Sequence, residues 1–214
     1  MLSRIYFKPL SEEEVETFAA MDFISLAADF EGDDLLAEGF NDMGRALKRR
    51  NTGTRQQLST DYTMCFDGID AIGEEVAVPY ASVFLGEFAL MNQEPYHKVY
   101  KLYRSESVKL KDSLRLPDDH ISFELEFLAL LSDRAAAALK NDEHAEVIRN
   151  FELSREFINE HILSWFDLLA ERAEKLLKTR FYRGALKVTK GYLELDLQTI
   201  ADLIEAYSDE CTNE

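Results

Sequence analysis

Apolar residues recur at intervals of three and four along most of the chain, which is the spacing of one helix face. Residues 11–14 read SEEE, the form of a capping box, and the helix they begin is predicted to run to residue 30. Later helices are predicted over residues 35–47, 58–69, 82–90, 95–103, 121–131, 143–159, 161–177, 181–191 and 196–208. No stretch alternates convincingly between apolar and polar residues as a half-buried strand would. The pattern therefore predicts an all-α fold.

Proline and glycine are unevenly distributed. All four prolines lie within the first 117 residues, and after them only Gly184 and Gly191 interrupt the helical spacing. Glycine and proline also make residues 68–95 the least regular part of the chain. A chain of this length buries roughly 70% of its unfolded surface. We expect a compact single-domain multi-helix bundle over residues 1–214, either undivided or as two lobes joined by an irregular connection around residues 68–117.

The charge is strongly acidic, with a formal net charge of -17 from 24 basic and 41 acidic residues. Such a field repels phosphate backbones, so nucleic acid is not expected as a partner. Residues 11–44 contain eleven acids and no Lys or Arg. A run of basic residues without an intervening acid follows and comprises Arg45, Lys48, Arg49, Arg50 and Arg55. Two interpretations stay open: a solvated surface, or an acidic end that attracts a basic segment.

Cysteine and targeting signals are sparse. Cys65 lies in an apolar pattern and Cys211 in a polar tail, so no disulfide framework or zinc ligand set is predicted. Residues 1–10 lack the apolar core of a signal peptide, and no run of about 18 apolar residues occurs. We expect a cytoplasmic protein with no integral membrane segment.

Three segments combine aromatic, acidic and proline residues. The first signature segment is residues 61–66 (DYTMCF), the second is residues 78–84 (VPYASVF) and the third is residues 116–127 (LPDDHISFELEF). In this order they resemble the signature of the TorD/DmsD family of redox-enzyme maturation chaperones, which proofread twin-arginine precursors and are related to NarJ-type chaperones. The resemblance covers residues 58–195, and it implies a protein that handles another protein.

The match is strongest at Asp119 and His120, which occupy the positions of the family's Asp-His pair, implicated in client recognition. Three positions depart from the pattern. Leu116 and Ala81 stand where the family usually has Glu, and Phe84 stands where it usually has Tyr. The aromatic character of the second signature segment is therefore kept, whereas its acid is lost.

The resemblance implies a chaperone that holds the precursor of a molybdopterin-dependent oxidoreductase, through its twin-arginine leader, its catalytic subunit or both, until the cofactor is inserted. No cofactor, metal or catalytic residue of its own is expected, and the protein is expected as a monomer or a domain-swapped dimer. His120 would orient Asp119 or adjust the site charge near neutral pH. The expected client-binding residues are Asp118, Asp119, His120, Tyr62, Phe66, Pro79, Tyr80, Ser82 and Phe84.

Other interpretations of the same residues stay open. Asp118 or Asp119 could simply cap the helix that begins near residue 121, and Tyr62 and Phe66 could be core residues. His120 and Glu124 share a helix face, which is permissible geometry for a metal pair.

Two alternative functions also remain. One is a NarJ-like assembly adaptor for a respiratory enzyme that is not exported. The other is a metal-dependent hydrolase that uses His120 and Glu124. The sequence contains neither a P-loop pattern nor a GxSxG pattern, which argues against an enzyme of those classes.

Overall fold

The computed structural model describes residues 1–30, 32–68, 77–87, 90–111, 113–114 and 116–212, with the backbone alone from residue 208 onward. The helices are α1 (Leu2–Phe7), α2 (Glu12–Ala19), α3 (Phe23–Asp29), α4 (Asp34–Lys48), α5 (Thr54–Cys65), α6 (Ala81–Leu85), α7 (Glu94–Ser105), α8 (Ile121–Lys140), α9 (His144–Phe157), α10 (Leu163–Leu176) and α11 (Arg180–Thr212). A π-helical turn, Ile158–Ile162, joins α9 to α10. These residues contain no strand, so the all-α prediction is confirmed. Within the same residues, no helix is long and apolar enough to cross a membrane.

The predicted capping box is confirmed. Ser11 Oγ accepts a hydrogen bond from Glu14 N at 3.2 Å, and Glu14 Oε2 accepts one from Ser11 N at 2.8 Å. The helix then ends at Ala19, and a new helix begins with Asp22, whose Oδ1 accepts a hydrogen bond from Ser25 N. The prediction of one helix up to residue 30 is therefore wrong, because the Asp22 carboxylate caps a second helix.

The chain divides into two compact units. The first comprises residues 1–79 and 166–192, and the second comprises residues 80–165 and 193–214. An aromatic cluster fills the core of the first unit, with ring centroids 5.3 to 6.0 Å apart. Its members are Tyr6, Tyr62, Phe66 and Tyr182. The Tyr62 hydroxyl also donates a hydrogen bond to the Tyr6 carbonyl at 2.7 Å, so the polar end of this buried ring has a partner.

Two glycines let α4 and α11 approach closely within the first unit. A Cβ placed on Gly184 would lie 2.6 Å from the Gly39 carbonyl oxygen, and one on Gly39 would lie 2.7 Å from Val188 Cγ2. The predicted helices at 181–191 and 196–208 are in fact one continuous helix, Arg180–Thr212. The prediction ended the first of them at Gly191, whereas Gly191 lies within the continuous helix, and a Cβ placed on it would lie 2.8 Å from Leu36 Cγ of α4.

In the second unit, α8 and α9 pack against each other and carry much of the core. Tyr103 of α7 lies 4.8 Å from Phe127, and Phe127 lies 4.8 Å from Phe157, measured between ring centroids. The predicted helix at 82–90 ends at Leu85, and residues 88–89 lie outside the described residues. The predicted helix at 58–69 begins earlier, at Thr54, and ends earlier, at Cys65; residue 69 itself lies outside the described residues.

Candidate functional site

The second and third signature segments meet in the second unit, around Asp119. The Asp119 carbonyl oxygen accepts a hydrogen bond from Ala81 N at 3.1 Å, and its Oδ2 accepts one from Ser82 N at 2.8 Å. Tyr80 and His120 form an isolated antiparallel bridge, with their rings edge to face at 4.8 Å. Because Asp119 is fully buried, its side chain fixes the start of α6 instead of facing solvent.

Ser82 extends this junction toward the next helix. It is fully buried, and its Oγ accepts a hydrogen bond from Gln93 N at 3.1 Å. Gln93 is the residue that precedes α7, so a single polar chain from Asp119 through Ser82 to Gln93 holds the starts of α6 and α7. Such a buried network holds the local backbone in one geometry. If the backbone moved, a buried N–H group would lose its acceptor, which costs free energy.

His120, and not a carboxylate, caps α8. Its Nδ1 accepts a hydrogen bond from Ser122 N at 3.1 Å, so the prediction that Asp118 or Asp119 caps this helix is wrong. The physical reason is that the Asp119 carboxylate is already engaged by α6. Burial lowers the pKa of His120 to about 3, which keeps the imidazole neutral at pH 7. His120 therefore does not change the charge of the site near neutral pH, and its orienting role stays a prediction.

Behind the junction lie buried acidic groups. Glu124 is fully buried, and burial followed by the nearby charge of Asp119 raises its pKa well above the ordinary value. Among the described residues, neither Glu124 oxygen, Asp119 Oδ1 nor the Tyr103 hydroxyl has a hydrogen-bond partner. The Trp165 indole N–H donates its hydrogen bond to the His161 carbonyl at 2.6 Å and not to Glu124. The sequence did not predict that the Tyr103 hydroxyl belongs to this buried polar group, because the position of Tyr103 fits an ordinary apolar helix face.

Glu124→Gln is expected to make stability less dependent on pH. Because its pKa is raised in the folded state, Glu124 keeps a proton that the unfolded chain loses as the pH rises past about 4.5. The wild-type protein should therefore lose stability with rising pH, by about 1.4 kcal/mol per pH unit for this group until its folded pKa is reached. Glutamine cannot ionise and should remove this loss, as thermal melts from about pH 5 to about pH 8 would show.

The matched control for that measurement is Glu126→Gln. Glu126 lies on the same helix but is exposed. Its replacement should leave the pH dependence of the wild-type protein unchanged. Equal pH dependence in the Glu124→Gln and wild-type proteins would contradict a protonated, buried Glu124.

The accessible face beside the junction combines a carboxylate with one half-buried and one exposed aromatic ring, Tyr96 and Tyr100. Asp118 is half-buried, and burial raises its pKa. The phenol of Tyr96 has a raised pKa because of burial and then because of the Asp118 charge, which places the two groups near each other. Tyr96 stacks on Tyr100 at 6.0 Å, and the Arg104 guanidinium lies 5.1 Å from the Tyr100 ring centroid. We name Asp118, Tyr96 and Tyr100 the acid-aromatic face.

Exposed apolar side chains follow α6. Leu85, Leu90 and Met91 have exposed fractions of 45%, 57% and 50%. Phe84 is half-buried and stacks on the fully buried Trp165 at 5.5 Å. Large apolar side chains that stay exposed in one short stretch are a common feature of surfaces that bind another chain.

The first signature segment lies in the first unit and is buried. Tyr62 and Phe66 each have an exposed fraction of 2%. The buried Asp61 carboxylate accepts hydrogen bonds from Lys178 N, Thr179 N and Thr179 Oγ1, so it holds the turn that leads into α11. Sequence reasoning missed Asp61, and no local signal could have found it, because its partners are more than 100 residues away.

The suggested metal pair gains no further ligand. Among the described residues, no group of three or more His, Cys, Asp or Glu side chains could hold a metal ion. His120 Nδ1 is engaged by Ser122 N, and burial favours the protonated form of Glu124. A protonated acid is a poor metal ligand, so the geometry gives a hydrolase no support.

Comparisons with known proteins agree with the signature segments. Residues 32–171 match the family model described as nitrate reductase delta subunit. The chain is 29% identical to the chaperone protein TorD of Vibrio parahaemolyticus over 91% of this chain and 88% of that protein. It is 26% identical to the chaperone protein TorD of Vibrio cholerae serotype O1 (95% and 90% covered) and of Aliivibrio salmonicida (94% and 91%). The chain therefore belongs to the nitrate reductase delta subunit family, as a TorD-type redox-enzyme maturation chaperone and not an enzyme.

Proposed function

We propose that this protein is a cytoplasmic chaperone that binds the precursor of a molybdopterin-dependent oxidoreductase through its twin-arginine leader, and holds it for cofactor insertion before export. The chain's similarity to TorD chaperones supports the general role. The observation that carries the leader-binding part is the acid-aromatic face, where burial and the half-buried carboxylate of Asp118 raise the pKa of Tyr96 and Tyr96 stacks on Tyr100.

This face has the chemistry to receive a guanidinium group. Arg104 of the same chain places its guanidinium 5.1 Å from the Tyr100 ring centroid, and a client arginine would make the same kind of contact with the neighbouring Tyr96. Asp118 is the accessible acid of the junction, whereas Asp119 is fully buried. In the proposed complex, an arginine of the leader therefore pairs with Asp118 and stacks on Tyr96. Lysine cannot reproduce the planar, bidentate contact.

The apolar run of the leader supplies most of the affinity. An exposed Arg-carboxylate pair contributes only about 0.2 to 1 kcal/mol. Burying about 300 Å² of apolar surface contributes roughly 7 kcal/mol before the costs of association are subtracted. Leu85, Leu90 and Met91 offer exposed apolar surface in the same unit, and half-buried Phe84 adds an aromatic ring. The acid thus selects the leader, and the apolar side chains hold it.

The remaining signature residues have positioning roles in this proposal. Asp119, Ser82, Tyr80 and His120 are buried and tie α6 to the start of α8, which fixes where Asp118 is presented.

The buried residues of the first unit fit a role in packing. Pro79 is buried, and Tyr62 and Phe66 are almost fully so. Such side chains would shape the chaperone without touching the client. Cys65 is buried and free, which agrees with a reducing compartment.

Asp118→Asn is expected to weaken binding of a leader peptide by about three- to fivefold, because it removes a pair with the peptide guanidinium that contributes up to about 1 kcal/mol. The probe is a fluorescently labelled peptide with an arginine pair followed by an apolar run, titrated and read by fluorescence anisotropy. Because burial raises the pKa of Asp118, a neutral amide should fit the folded protein without loss of stability.

Asp133→Asn is the matched control. Asp133 is an exposed acid on α8, so its replacement removes the same charge from the same unit away from the face. The control should bind within about twofold of the wild-type protein, since distant exposed charges are screened. An equal loss in both variants, or no loss in either, would contradict a specific role for Asp118.

The family model supports a second candidate, an assembly adaptor for a respiratory enzyme that is not exported. Such an adaptor would bind a client terminus that lacks an arginine pair. Its affinity would be the same for a peptide in which lysines replace both arginines. The two candidates therefore differ in one measurable property of the same peptide.

A further inference from the structure

Four buried polar atoms in the second unit have no part in the function proposed above. They are the two carboxylate oxygens of Glu124, the Oδ1 atom of Asp119 and the hydroxyl of Tyr103, and none of them has a hydrogen-bond partner among the described residues. Glu124 and Asp119 are fully buried, and Tyr103 is 1% exposed. Because buried polar atoms are nearly always paired, four unpaired ones mark a position that the packing of the core alone does not explain.

The three side chains act on one another electrostatically. Glu124 lies one turn into α8, Asp119 lies two residues before that helix, and Tyr103 lies on α7. Burial, and then the charge of Asp119, raise the pKa of Glu124. Burial, and then the charges of Glu124, Asp118 and Asp119, raise the pKa of Tyr103. The charged groups that face Glu124 from its surroundings are therefore acids.

The other neighbours of Glu124 supply no positive charge. His120, one turn earlier, is neutral at pH 7 because burial lowers its pKa to about 3. The indole of Trp165 opposes the rise in the pKa of Glu124, but its N–H group is bonded to the His161 carbonyl. Among the described residues, no basic side chain acts on the pKa of Glu124. A negative charge on Glu124 would thus be buried beside Asp119 without a compensating cation, which is unfavourable.

Asp119 is also the residue that holds α6. Its Oδ2 accepts a hydrogen bond from Ser82 N, and its carbonyl oxygen accepts one from Ala81 N. Helix α6 has only five residues, too few to be stable without such contacts. Its Phe84 stacks on the fully buried Trp165, with ring centroids 5.5 Å apart. A second negative charge beside Asp119 would therefore act on the side chain that secures α6 over this tryptophan.

We propose that the proton on Glu124 controls the opening of the leader-binding site, an inference that rests on the function proposed above. With the proton bound, α6 stays packed on Trp165. When the proton passes to solvent, repulsion between the Glu124 and Asp119 carboxylates moves α6 away, and Phe84 and Trp165 add apolar surface for the leader. The positive charge of the leader favours the ionised state, so leader binding and proton release assist each other.

The first test is calorimetric titration of the full-length protein at pH 7 with a peptide that has an arginine pair followed by an apolar run, in phosphate and in Tris. Because the two buffers take up a proton with different heats, the two titrations together give the number of protons released. Wild-type protein should release at least about half a proton more per bound peptide than Glu124→Gln. Glutamine matches the size of the neutral acid, so the variant should fold.

The control variant is Glu126→Gln, which removes an exposed acid from the same helix and should release as many protons as wild-type protein. Peptide binding with equal proton release by wild-type protein and Glu124→Gln would overturn the proton-controlled opening and leave the proposed function standing. Absence of peptide binding to wild-type protein would contradict the proposed function, and the opening would then be decided without the peptide.

That second test uses fluorescence. Trp165 is the only tryptophan of the chain, so its emission reports directly on the position of α6. Between about pH 6 and about pH 9, the emission of wild-type protein should shift to longer wavelength, whereas that of Glu124→Gln should stay constant. No shift in wild-type protein, or the same shift in Glu124→Gln, would overturn the role of the Glu124 proton.

Discussion

Asp61→Ala is expected to destabilise the protein by about 2 to 4 kcal/mol, because it removes three hydrogen bonds to a buried carboxylate. Two of the donors are the amides of Lys178 and Thr179, in the turn just before α11, which would be left without an acceptor. Urea unfolding of the wild-type protein and the variant would measure the difference in free energy of unfolding.

Two further variants make that measurement specific. Asp61→Asn keeps the shape but offers one acceptor oxygen, so it should give an intermediate loss. Asp67→Ala removes an exposed acid just after the same helix and should change stability by less than about 0.5 kcal/mol. If Asp61→Ala were as mild as Asp67→Ala, the role of Asp61 in holding this turn would be contradicted.

Gly184→Val is expected to cost about 3 kcal/mol, because any side chain at this position meets backbone. A Cβ there would lie 2.6 Å from the Gly39 carbonyl oxygen and 3.0 Å from Met43 N, and neither atom can rotate away. The helices α4 and α11 would have to separate, which is the usual cost of overpacking and exceeds the roughly 1 kcal/mol that a helix gains when glycine is replaced. Thermal and urea unfolding would both register the loss.

The control for Gly184→Val lies on the same helix. Ala201 is exposed, so Ala201→Val adds bulk without a contact and should cost no more than about 0.7 kcal/mol through helix propensity. A mild Gly184→Val, comparable with the control, would contradict the close approach of α4 and α11.

Features set by neighbouring residues were predictable from the sequence. The capping box at Ser11 is confirmed because both of its hydrogen bonds join residues three positions apart. The break at Asp22 was missed because this residue falls in the helical apolar pattern of residues 11–30. Its carboxylate accepts a hydrogen bond from Ser25 N and so caps the next helix. Gly191 was wrongly predicted to end a helix for a related reason: glycine locally weakens a helix, but here its close contact with Leu36 leaves no room for a side chain.

The signature segments could be recognised from the sequence, whereas the hydrogen bonds that define their structural roles join residues far apart in sequence. Asp119 bonds Ser82 across 37 residues, and Asp61 bonds Lys178 across 117 residues. In each case a buried carboxylate fixes the approach to or the start of a helix distant in sequence, which no spacing rule predicts. The accessible acid Asp118 was among the expected binding residues, but Tyr96 and Tyr100 were not, because their spacing matches an ordinary helix face.

The most direct test measures the affinity of two leader peptides for two forms of the protein. A leader peptide with its arginine pair, and the same peptide with two lysines, would each be titrated into wild-type protein and Asp118→Asn. The lysine peptide should bind wild-type protein about three- to fivefold more weakly, and this preference should largely vanish in the variant, since both changes remove the same bidentate contact. Equal affinity of wild-type protein for the two peptides would contradict recognition of a twin-arginine leader and favour the adaptor.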